Sequence, residues 1–202
     1  MLARAATAAL LGIDAFRVDL EVDYARRGMP AFTMVGLAEG AVRESKERVF
    51  AALKNCGFTL PPARITVNLA PADVRKEGSA YDLPLALALL AASGVLDPER
   101  LAGFYFSGEL SLTGELKPVN GVLPLAILAR DEGARGDGAR GVLVPPGNAP
   151  EAAVVKDVAV YGPPPWPRRC ASWPGRTAWP GCIATSTPSG AGARRTPWTS
   201  RT

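Results

Sequence analysis

The sequence contains no histidine. That removes Ser-His and Cys-His nucleophile pairs and leaves any zinc site without its usual nitrogen ligand. Cysteine is scarce: Cys56, Cys170 and Cys182 form neither a CxxC pair nor a metal-binding spacing. Long apolar runs are missing too. The longest, Leu85 to Ala92, falls far short of the roughly 20 residues a transmembrane helix needs. The N-terminus has no clustered basic start, and Asp14 follows its short apolar stretch closely, so a signal peptide is not expected. These absences point to a cytoplasmic protein without a membrane partner. No segment fits GxxxxGK(S/T), so the chain carries no visible phosphate loop.

Charge is present but unevenly placed. Residues 163–202 hold six arginines and no lysine, aspartate or glutamate; without those six, the net +4 of the whole chain becomes −2 for residues 1–162. The basic character of the sequence therefore belongs to its last forty residues and is no argument for nucleic-acid binding by the rest. The same segment holds all four tryptophans (Trp166, Trp173, Trp179 and Trp198) and one aliphatic residue larger than alanine, Ile183. It has no period of two or 3.6 and too few aliphatics to offset the entropy of ordering. Arg, Pro, Trp, Gly, Ala, Ser and Thr are what shifted GC-rich codons encode. One reading is a disordered basic tail; the abrupt break in composition favours the other, the product of a frameshifted or truncated gene. Domain organisation then reads as residues 1–162 folded and 163–202 outside the fold.

Within 1–162 the pattern is clear. Phe16, Val18, Leu20 and Val22 alternate with Arg17, Asp19, Glu21 and Asp23, the period of a half-buried strand with a solvated charged face. Ala5 to Leu11 and Phe16 to Tyr24 form a predicted hairpin about Gly12-Ile13-Asp14. Pro30 to Val35 is a third strand. Glu39 to Asn55 is an amphipathic helix with Val42, Val49, Phe50 and Leu53 inward and Arg43, Glu44, Lys46, Glu47 and Arg48 outward; Gly57 stops it. Arg64 to Leu69 is a strand, and Leu83 to Leu90 the core of a buried helix. Gly103 to Ser107 and Leu110 to Leu116 read as strands about two glycines, a tight hairpin with Glu109 and Glu115 exposed. Val122 to Glu132 (helix), Gly141 to Val144 (strand), Ala149 to Lys156 (short helix) and Val158 to Tyr161 (strand) complete an α+β layer fold.

The stretch from Arg64 to Ser93 (strand, charged loop, buried helix) has the layout of an active or phosphate-binding site. Ser79 is a candidate nucleophile, which would need a nearby base. It equally suits a helix start: Ser79-Ala80-Tyr81-Asp82 has capping-box spacing, and Asp82 as N-cap would put Pro84 in the first turn, where proline is tolerated. The capping role is the favoured one. Arg26, Arg27, Arg75 and Lys76 are candidate contacts for DNA or another partner through phosphate pairing. Gly136 to Gly141 matches GxGxxG, but it follows a helix and precedes a strand, the reverse of a dinucleotide site. Gly108 to Gly114 is one residue too long for a phosphate loop and has Glu115 where lysine is required.

Three segments, FTMVGLAEGAVRESKERVFAALKNCGF, ITVNLAPADVRKEGSAYDLPLALALLAASG and FSGELSLTGELKPVNGVLPLA, closely resemble the N-terminal domain of the YifB/ComM family of magnesium-chelatase-like AAA+ proteins. The match runs from about Leu2 to Gly162. The resemblance implies a ribosomal protein S5 domain 2-like fold, shared with the proteolytic domain of Lon and the C-terminal domain of RadA. It implies that an ATPase module, which would hold ATP and magnesium, follows in the full-length family. It also implies a hexameric ring that drives branch migration of DNA in natural transformation. This chain then reads as a non-catalytic fragment with no cofactor of its own. Lon-type proteolysis would need a Ser-Lys dyad. On alignment the serine falls at Ala80, one place after Ser79, and the lysine at Leu123, while Lys117 sits on the hairpin arm before the helix. The alternatives are a Lon-like serine peptidase using Ser79 and a stand-alone DNA-binding module.

Overall fold

The structure, a computed structural model, describes residues 1–136 and 139–162. The expected tail, and the middle of the GxGxxG match, lie outside the described residues. Strand β1 (Leu2–Leu11) pairs antiparallel with β2 (Asp14–Ala25). Strands β3 (Ala31–Val35), β4 (Arg64–Ala70), β5 (Phe104–Phe106), β8 (Gly141–Leu143) and β9 (Val160–Tyr161) complete a seven-stranded mixed sheet in the order β3-β4-β2-β1-β5-β8-β9. Strands β6 (Glu109–Leu110) and β7 (Leu116–Lys117) form a separate hairpin. The helices are α1 (Gly40–Asn55), α2 (Asp82–Ser93), α3 (Val122–Arg135) and the single turn α4 (Ala149–Ala152).

Strand periodicity decides the layers. On β2, Val18, Leu20, Val22 and Tyr24 are buried on one face; Ala3, Ala5 and Ala9 of β1 and Val67 and Leu69 of β4 join them beneath α1 and α2. The alanines of β1 leave room for α2, whose twelve residues are all buried. A helix that is apolar all round belongs in the middle of a core, and α2 lies between the sheet, α1 and the β6–β7 hairpin. Its C-terminus closes on Gly94 at φ +85, an αL stop that glycine adopts without a Cβ penalty. The other face of the sheet meets α3 and α4 through Tyr105, Val142 and Val144. Gly36 ends β3 against β4; a Cβ there would stand 2.2 Å from the Leu69 carbonyl oxygen, so no side chain fits.

Three expectations are corrected. Gly103 to Ser107 does not form a hairpin with the segment after it. Phe104, Tyr105 and Phe106 are buried on both faces and enter the main sheet parallel to β1, leaving Glu109–Lys117 to pair with itself. The charged face of β2 is not merely solvated. Arg17 bonds Asp19 at 3.0 Å and reaches Glu132 of α3 at 2.9 Å, and the Tyr105 hydroxyl donates to the same Glu132 carboxylate. The bond to Asp19 is the largest cause of a raised Arg17 pKa. Arg48, assigned to the outer face of α1, turns inward because a buried carboxylate waits there.

Candidate functional site

The strand–loop–helix unit is built as its sequence suggests, but its polar groups are spent on holding it together. Pro71 follows β4 through a cis peptide bond. The chain then doubles back beside the turn between β3 and α1: Lys76 bridges to Ala38, its N–H donates to the Leu37 carbonyl (3.3 Å), and its carbonyl accepts from Glu39 N–H (3.1 Å). The Lys76 side chain is 0% exposed, and its ammonium donates to the Pro71 carbonyl at the base of the same loop. Desolvation lowers its pKa, with Asp73 acting the other way. Its burial corrects the expectation that Lys76 is an accessible candidate contact for DNA or another partner.

Neither Ser79 nor Asp82 caps α2. The N-cap residue is Tyr81, without a side-chain cap bond. The Ser79 hydroxyl instead donates to the Glu109 carboxylate on β6, which makes Glu109 half-buried rather than exposed. Asp82 is fully buried as the first residue of the helix. Its carboxylate takes two bonds from Arg48, at 2.8 and 3.0 Å, and a third from the Leu110 N–H at 3.1 Å. That bond pattern raises the Arg48 pKa. Backbone bonds between Gly108 N–H and the Ala80 carbonyl and between Leu83 N–H and the Gly108 carbonyl, both 3.0 Å, stitch the helix start to the hairpin. Sequence reasoning missed the Arg48–Asp82 pair. The signal was there: one acid directly abutting an eleven-residue apolar helix must be paired to be buried.

Among the described residues, the bonds made by Ser79, Lys76 and Lys117 do not form a Ser-Lys pair. Ser79 has a carboxylate as its hydrogen-bond partner. Lys76 is bound to Pro71, and Lys117 is paired to Glu115 at 2.8 Å. Ala80 contributes only its carbonyl. Leu123 sits in the first turn of α3 with its N–H on Glu151. The residues do not fit a nucleotide either. Gly108 to Gly114 forms β6 and a turn leading back into β7, not a loop opening a helix, and Gly136 and Gly141 separate α3 from β8 in the order opposite to a dinucleotide cradle.

The four candidate partner-contact residues are not brought together. Ala25 pairs with Arg64, the first residue of β4, so Arg26 and Arg27 lie where that strand begins. Arg75 and Lys76 follow its last residue, Ala70. Seven residues of strand separate the two pairs by about 23 Å. Arg75 is exposed and paired to Glu39 at 3.0 Å. Arg26 donates to the Ser93 carbonyl at the end of α2 (2.8 Å), while Arg27 is exposed. Between them and Ala92–Gly94 lies a pocket of about 440 Å³.

The sequence is similar to that of known proteins. A family model described as subunit ChlI of Mg-chelatase covers residues 20–148. The chain is 46% identical over 153 residues to competence protein ComM of Haemophilus influenzae, covering 76% of this chain and 29% of that protein. It is 45% identical over 161 residues to an uncharacterized protein, Rv2897c, of Mycobacterium tuberculosis (80% and 31%). It is 46% identical over 129 residues to the uncharacterized protein YifB of Escherichia coli (64% and 25%). The chain thus spans less than a third of the length of these curated relatives.

Proposed function

The chain belongs to the YifB/ComM family of proteins related to subunit ChlI of magnesium chelatase, and from that premise we propose that it is the non-catalytic N-terminal domain of a ComM-like, DNA-processing AAA+ ATPase. The observation that carries this reading is the 46% identity to competence protein ComM over a span that is 29% of that protein, in a sequence with no phosphate loop. ATP and magnesium would belong to an ATPase module following this domain, and the domain would serve the assembled ring as scaffold or DNA contact. The mixed sheet, with a buried helix after β4 and a small hairpin laid over its start, supports an S5 domain 2-like fold of the kind found in Lon. The peptidase activity of that fold finds no support in Ser79, whose partner is Glu109.

The gene tests the reading. Sequencing beyond the codon for Gly162 and translating all three frames is expected to reveal GxxxxGK(S/T) within the next several hundred bases. A downstream region without that motif in any frame would overturn the assignment to a larger ATPase. Exposure of the purified chain to a fluorophosphonate probe is expected to leave Ser79 unlabelled; labelling there would instead restore the serine peptidase.

A further inference from the structure

We infer that the end of the sheet at which β4 begins is a docking face for the phosphate backbone of a nucleic acid. The register fixes what lies there. Ala25 and Ala31 both pair with Arg64, which places Arg26 and Arg27 beside it. Across the sheet, Phe104 pairs with Gly141 and the Arg140 N–H donates to the Gly103 carbonyl, so Arg140 and the loop carrying Arg100 reach the same end. Val142 pairs with Val160, and Lys156 lies in the loop that leads from α4 into that strand. Six cations therefore follow one edge of a seven-stranded sheet, from β4 to β9, over about 24 Å at 4.8 Å per strand interval.

What sets them apart is that none forms an ion pair among the described residues. Arg26 is accounted for by the helix end it bonds, and Arg140 lies 5.0 Å over the Phe104 ring. Arg27, Arg64 and Lys156 are exposed, without either kind of contact among the described residues. Among the described residues the acids nearby are Asp23, Asp97, Glu99 and Asp157, fewer than the cations. Asp23 stands 3.9 Å from the terminal amine, and Asp97 accepts from the Glu99 N–H. At the opposite end Lys46, Arg48, Arg75 and Lys117 are each paired with a carboxylate, while Arg43 and Lys76, like Arg26, are bonded to backbone carbonyls, those of Ala38 and Pro71.

A small anion is held by cations converging on one point. A row of unpaired cations suits a linear polyanion, with each phosphate neutralised in turn and counterions released. The pocket between Arg26, Arg27 and the end of α2 gives that row a recess. The inference extends the domain assignment above and rests on it only for the choice of DNA as probe.

The test uses the full chain, whose last forty residues stay constant across variants. Fluorescence anisotropy with a labelled 30-base single strand measures Kd against salt. R27E/R64E/K156E removes three cations that make no ion pair among the described residues. It is expected to weaken binding at least tenfold and to flatten the slope of log K against log salt by about 2, at roughly 0.7 per lost contact. R43E/R75E/K117E changes net charge equally at the other end and is expected to stay within twofold. Circular dichroism and Tm check folding, and R27Q/R64Q/K156Q replaces the first variant if reversal unfolds it. Equal loss in both sets, no loss in the first, or no DNA binding by the parent chain overturns the inference. So does a result in which phosphatidylserine vesicles, and not DNA, lose binding with the first variant. These outcomes leave the gene-sequence test of the domain assignment untouched.

Discussion

The two ends of the sheet use the same residue types for opposite purposes. Where β4 finishes, arginine and lysine are consumed internally: Arg48 neutralises the buried Asp82, and Lys76 holds its own loop to Pro71. Where β4 begins, Arg27, Arg64 and Lys156 are exposed and make no ion pair among the described residues. The first end has the outline of an active site and the interior of a scaffold. The second has no motif at all, yet its side chains are free to meet something else. Local sequence shape is thus a poor guide to where a fold keeps its available chemistry, and the state of each side chain's partners is a better one.

The largest expected effect lies at the internally satisfied end. Arg48→Ala strips Asp82 of two of its three hydrogen bonds and leaves a carboxylate that is 0% exposed facing only the Leu110 N–H. Breaking one half of such a pair costs about 3–5 kcal/mol. Urea unfolding should therefore show a loss of that order, and Arg48→Ala combined with Asp82→Ala should lose less than the sum of the single variants. A loss under about 1 kcal/mol for Arg48→Ala would mean the pair is not what anchors the start of α2.

Lys76 sharpens the contrast through pH. Its folded pKa is lowered, because burial disfavours the charged ammonium. Between the lowered folded pKa and the ordinary lysine value, the unfolded chain binds more protons than the folded one, so this group makes stability rise with pH through that window. Comparing the parent chain with Lys76→Met cancels the tyrosines, of which Tyr81 and Tyr105 have pKa values raised by burial and push stability the other way in alkali. The parent is expected to gain on Lys76→Met between neutral pH and about 10.5. A gap in unfolding free energy that stays constant with pH would show that Lys76 is not desolvated in solution.

Ser79 gives a smaller effect. Ser79→Ala removes one half-buried hydroxyl from the Glu109 carboxylate, and the loss should be about 1.5–3 kcal/mol, typical of one bond to a charged acceptor. Thermal unfolding checks it. A Tm unchanged from the parent would indicate that the hydroxyl is free, which is the state a nucleophile would require.

Much of this was legible beforehand. The period of two in Phe16 to Tyr24 located β2, and the run from Leu83 to Leu90 located the central helix, because continuous apolarity can only be satisfied by burial on all sides. What could not be read was partnership across the chain. Arg48 and Asp82 are 34 residues apart, and Tyr105 meets Glu132 only because β5 enters the sheet beside β1. Lys76 looked solvated because its neighbours Asp73, Arg75 and Glu77 are; nothing in a charged loop marks the one residue whose backbone is bridged to Ala38 and whose side chain is thereby turned inward. Grouping Arg26 and Arg27 with Arg75 and Lys76 failed for the same reason. Sequence gives the charges, but strand direction decides which end they occupy.

The smallest stability effect belongs to the open end, and there it carries the most information. Arg27→Ala and Arg64→Ala remove exposed side chains that make no ion pair among the described residues, so each should stay within about 0.5 kcal/mol of the parent. If either instead costs more than about 1 kcal/mol in urea unfolding, that guanidinium is doing structural work and the difference between the two ends disappears. If both are neutral for stability while each weakens DNA binding in low salt, stability and binding have been separated onto opposite ends of one sheet. The fold would then be held by pairs that binding does not disturb, and the contact surface could change without unfolding it.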